Sequence, residues 1–131
     1  MNVWLDFVGK GEMTTAPRTL VEQALEPLIE DKSQRPWRVI DSLADIYVGG
    51  ETAATNVGGF MVTRPPGDEH HPFWQALLAL MQKTPSVFYW PGGGCIAADN
   101  SVAAQMPADM LESLGEPAIA VKPEDFWAQM R

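Results

Sequence analysis

Between His71 and Thr84 the chain carries the pattern that most limits what it can fold into. Phe73, Trp74, Leu77, Leu78, Leu80 and Met81 recur at three- and four-residue spacing, so a helix here has a wide apolar stripe that has to be sandwiched against a sheet. Pro72 stands at its first position, where a missing amide costs no hydrogen bond, and Thr84-Pro85 stops it. A second helical pattern lies upstream, with Leu20, Val21, Ala24, Leu25, Leu28 and Ile29 on one face and Glu22, Glu26 and Glu30 on the other. Thr19 and Glu22 have capping-box spacing and predict the start of this helix. Pro27 lacks an amide and crowds the preceding turn, so it predicts a kink or a split.

The segments around these helices read as strands. Asn2 to Val8 alternates, with Val3, Leu5 and Phe7 on one face and Trp4, Asp6 and Val8 on the other. Trp37 to Ile40 and Asp45 to Val48 predict one interrupted strand or two short ones. Val57 to Thr63 predicts another, with a bulge or a close backbone approach at Gly58-Gly59. Val87 to Trp90 and Cys95 to Ala98 flank Gly92-Gly93-Gly94, which suits a strand, a glycine turn and a strand. Pro107 to Gly115 predicts a short helix, Ala118 to Val121 a last strand, and Pro123 onward a final helix with Phe126, Trp127 and Met130. The fold class expected is α+β: one domain over 1–131, with a mostly antiparallel sheet packed by two main helices. The first six elements follow the split βαβ order of ferredoxin-like sandwiches, and a strand-helix-strand-helix extension follows.

Charge narrows the partners. Seventeen acidic residues against nine basic ones give a net charge of −8, which repels phosphate backbones and anionic lipid, so neither nucleic acid nor membrane is an expected partner. One cysteine excludes an internal disulfide, no apolar run approaches membrane-spanning length, and the first residues lack the pattern of a secretory signal. A cytoplasmic location is therefore expected.

The chemistry-bearing residues are few. Asp68-Glu69-His70-His71 holds every ligand type a zinc or iron site uses, but adjacent residues project in different directions, and a polar turn capping the second helix is the better reading. Cys95 with His70 or His71 would make a nucleophile and base, yet a cysteine followed by Ile96 and Ala97 reads as a small buried hydrophobe. The glycine run lacks the lysine and helix start of a phosphate loop. No metal or cofactor is expected, and no catalytic residue is assigned. Trp90 precedes Pro91-Gly92 at a strand end, where an indole is a good interface anchor.

In size, charge, fold type and the lack of a catalytic constellation, the chain resembles the small acidic immunity proteins of bacterial toxin systems. That resemblance implies a protein partner, a basic toxin or effector, held through an acidic surface with aromatic anchors. The candidate contacts are Glu51, Asp68, Glu69 and Asp99 on loops, with Tyr89 and Trp90 beside the glycine turn. Two rival readings are an acidic secretion chaperone, which would bind an unfolded effector segment as a homodimer, and a small enzyme using Cys95. Oligomeric state is left open by the sequence.

Overall fold

In a computed structural model, which describes residues 1–49 and 54–131, the stripe at 73–81 is buried along its whole length, each of its six large side chains being 2% exposed or less. What buries it is a sheet. The strands are β1 (Asn2–Gly9), β2 (Glu12–Met13), β3 (Ala16–Pro17), β4 (Trp37–Arg38), β5 (Asp45–Val48), β6 (Asn56–Val57), β7 (Gly59–Thr63), β8 (Ser86–Tyr89), β9 (Cys95–Ala97) and β10 (Ala118–Ile119). The α-helices are α1 (Arg18–Leu25), α2 (Pro72–Lys83), α3 (Ala108–Leu114) and α4 (Asp125–Met130), with 3-10 turns at Glu26–Leu28 and Asn100–Gln105.

The main sheet runs β10-β9-β8-β1-β7-β5-β4, antiparallel throughout except for the β9-β10 pair, with β2 folded back on β1. Its middle, β8-β1-β7-β5, places the strands of the first six elements in the order fourth, first, third, second, which is the split βαβ arrangement expected. The sheet ends at both edges in strands of two residues, β4 preceded by Pro36 and β10 by Pro117.

Alternation on β1 divides the molecule. Val3, Leu5 and Phe7 are fully buried in a large cluster that takes in α1, α2 and Phe126 of α4. Trp74 sits at its centre, with the rings of Phe73, Phe88, Phe126 and Trp127 around it at centroid distances of 4.9–6.1 Å. On the opposite face Val8, Val87, Cys95, Ala97, Val102 and Met106 form a smaller cluster under the second 3-10 turn and α3. None of α3's residues is fully buried, so it covers this face lightly.

The expected capping box is corrected, and so is the single strand over 57–63, while the split at Pro27 and the glycine turn are as expected. Helix α1 begins at Arg18 with Pro17 as its cap residue and no capping side chain, so Thr19 and Glu22 form no capping box. The reason is tertiary: Pro17 lies in β3 paired with Asn56, and the carbonyl of Thr55 takes the Arg18 amide at 2.8 Å. At Pro27 the chain splits rather than bends, and α1 gives way to a 3-10 turn. The strand expected over 57–63 breaks at Gly58, because Val57 pairs with β3 while Gly59 onward joins the main sheet. The glycine run is the hairpin turn between β8 and β9.

Candidate functional site

The part of the second sheet face that α3 leaves uncovered is built by strand register. Trp4 on β1 lies opposite Tyr89 on β8 and Met61 on β7, and Met61 lies opposite Tyr47 on β5. Side chains at paired positions point to the same face, so Tyr89, Trp4, Met61 and Tyr47 form one row across four strands. Trp4 and Tyr89 stack with centroids 5.6 Å apart and planes 15° from parallel. Tyr47 is 43% exposed at the far end of the row.

One step along the strands the row is Asp6 and Gly59, continued by Gly49, whose amide donates to the Gly59 carbonyl at 3.0 Å. Two glycines in place of side chains leave a notch. Gly59 has no alternative, since a Cβ there would stand 2.0 Å from the Leu5 carbonyl oxygen and 2.9 Å from Asp6 Oδ1. The depression, about 400 Å³, is lined by Trp4, Met61 and Tyr47 on one side and by Met13 and Thr14 on the other, with Asp6 at one end. A neighbouring hollow between Tyr89, Met13 and α3 continues it.

Asp6 is the electrostatic centre of this face. Its Oδ2 accepts a hydrogen bond from the Tyr89 hydroxyl at 2.6 Å. Burial nevertheless pushes the carboxyl pKa up by more than that bond lowers it. The same burial, with the carboxylate alongside, pushes the Tyr89 hydroxyl pKa upward too. Asp6 Oδ1 accepts no hydrogen bond among the described residues and faces the glycine notch.

The residues singled out from sequence are distributed differently. Tyr89 lies in the row. Trp90, just past the end of β8, packs against the large cluster near Phe88 and lies so close over Gly93 that a Cβ there would stand 1.6 Å from the indole nitrogen. Asp68 accepts the His70 amide at 2.9 Å in the turn before α2. Glu69 is bridged to Arg131 at 2.9 Å. Asp99 caps the second 3-10 turn through the Ser101 amide and hydroxyl, which hold its carboxyl below the usual carboxylate range. Glu51 lies outside the described residues. The three described acids therefore serve turns, a cap and a terminal ion pair, and none of them lines the row or the notch.

His71 caps α2: its Nδ1 accepts the Phe73 amide at 3.0 Å while its Nε2 donates to the Ile40 carbonyl at 2.8 Å, which fixes the ring as the neutral Nε2-H form. Cys95 is buried in the smaller cluster, its Sγ 3.5 Å from the Gly115 carbonyl, and burial pushes the thiol pKa up, the reverse of what activates a nucleophile. Among the described residues no three His, Cys, Asp or Glu side chains are gathered as metal ligands, and no helix is long and apolar enough to cross a membrane.

Sequence reading missed Trp4, Asp6, Tyr47 and Met61 as a group. Strand alternation does put Trp4 and Asp6 together on β1, but their neighbours come from positions 47, 61 and 89, and no local pattern encodes that pairing. In comparisons with protein families, curated proteins and solved structures, nothing matches the chain.

Proposed function

We propose that the chain is a non-catalytic binding protein of the immunity type, which neutralises a basic bacterial toxin by laying the open part of its second sheet face on it. The observation that carries this reading is the row Tyr89, Trp4, Met61, Tyr47: aromatic and methionine side chains are the types enriched in interface cores, and here they lie side by side on a partly exposed face, Tyr47 the most exposed of them. The net charge of −8 supplies the complement. It steers a basic partner to the face at long range, while the row supplies the contacts that hold it. The loop acids Asp68, Glu69 and Asp99, occupied within the chain, contribute to that field rather than to the anchor.

The test is complex formation with a basic partner, read by light scattering and by association rates at several salt concentrations. A one-to-one complex is expected, with an association rate that falls as salt rises and with loss of binding in Tyr47→Arg, which sets a like charge against the partner at an exposed position. A homodimer holding an unfolded segment would replace this reading with the secretion-chaperone one. A complex indifferent to Tyr47→Arg would remove the sheet face from the interface.

A further inference from the structure

The notch beside the row has a chemistry of its own. Its floor is backbone, because Gly49, Gly58 and Gly59 contribute no side chains, and its walls are Trp4, Tyr47, Met61 and Met13. Among its described lining residues Asp6 alone carries a charge at neutral pH, and no described cation pairs with it. Arg18 donates to the carbonyls of Ala54 and Gly49 and lines a separate hollow.

A half-buried carboxylate with one oxygen still open, set among aromatic rings and methionine sulfur, disfavours anions by charge and gives a neutral polar group little to bond. It favours a compact organic cation, which the carboxylate attracts directly and which aromatic faces attract through their quadrupole when it lies within about 6 Å of the ring. We propose that the notch receives a single basic side chain, an arginine guanidinium or a lysine ammonium, inserted beside Asp6 by the protein that docks on the row. The source of that side chain rests on the docking reading above; the cation site itself belongs to this chain alone.

Three features fit together in this assignment. The Tyr89 hydroxyl occupies Oδ2 and so turns Oδ1 toward the notch. Gly59 keeps the approach to Oδ1 clear, and any side chain at that position would close it. Burial raises the Asp6 pKa, and a guanidinium bound beside the carboxylate would lower it.

The experiment uses the intact chain labelled with nitrogen-15 and titrated with acetyl-Gly-Arg-Gly-amide, followed through the Trp4 indole and the Gly49 and Gly59 amides. Saturable shifts at these three groups are expected. The citrulline counterpart of the peptide, equal in shape and neutral, leaves them in place. Asp6→Asn, which keeps the shape of the side chain and can still accept from Tyr89, weakens binding of the arginine peptide about tenfold. Equal shifts with the citrulline peptide, no saturable shift with either, or full affinity in Asp6→Asn would overturn the proposal. Failure here with Tyr47→Arg still breaking the partner complex removes the cation site and leaves the docking face. Success here with a partner complex indifferent to Tyr47→Arg keeps the cation site and removes the docking face.

Discussion

The two faces of the sheet are made by the same strands and differ in nearly everything else. One face is closed by α1, α2 and α4 over a continuous apolar cluster in which Val3, Leu5, Phe7, Phe73, Trp74 and Leu77 have no exposed surface. Among the described residues the other is closed where α3 and its preceding 3-10 turn lie on Val8, Val87, Cys95 and Ala97, and beyond that it is partly exposed. Alternation sends residues 3, 5 and 7 one way and 4, 6 and 8 the other. The first set holds the fold together; of the second, Val8 is covered, while Trp4 and Asp6 stand half-buried beyond α3.

That division concentrates stability on the helical face. Trp74→Ala is expected to cost about 4 kcal/mol in urea unfolding, a large part of the stability of a domain this size, because it empties the centre of an aromatic cluster. Val102→Ala removes two methyl groups under the lightly covering turn, and about 2 kcal/mol is expected. A loss equal to that of Trp74→Ala would mean that the smaller cluster is no less structural than the larger. Tyr47→Ala is expected to change stability by no more than about 0.5 kcal/mol, as for an exposed side chain without buried partners. A larger loss would move the open row into the core and end its claim to be a free surface.

The finest comparison is electrostatic. Because burial raises the Asp6 pKa above its unfolded value, ionising Asp6 is harder in the folded chain. Its contribution to stability is therefore most favourable below the unfolded carboxylate pKa of about 4 and declines as pH rises through the raised folded value. Asp6→Asn removes that decline, so the variant gains on the parent between pH 3 and pH 7, and urea midpoints for both proteins at the two pH values measure it. Asp45 behaves oppositely: the Arg38 guanidinium, 2.7 Å away, holds its carboxyl pKa down. Its contribution is present above the unfolded carboxylate pKa and is lost as pH falls, so Asp45→Asn loses on the parent over the same interval.

What could be seen in the sequence follows the same division. The helix-covered face was legible because its determinants are local: a stripe at helical spacing over Phe73–Met81, alternation along β1, prolines and glycines at the breaks. The start of α1 was not, since Pro17 and Arg18 take their positions from residues 55 and 56 across the fold. The opposite face was legible only in part. Tyr89 was found through its place beside a turn, but its partner Asp6 is 83 positions away, and no short-range signal joins them. The loop acids looked like contacts because they are charged and exposed in a chain of net charge −8. Asp99 was in fact recognisable as a cap, since Asp-Asn-Ser at the start of a helical turn is the spacing at which a carboxylate takes a backbone amide two residues on.

The two edges of the sheet bear on how such a face can be used. Each ends in a strand two residues long beside a proline, too short and too interrupted to template a further strand. On the proposed binding role, partner choice would rest on a handful of exchangeable side chains, and substituting them would leave the backbone hydrogen bonds of the sheet in place.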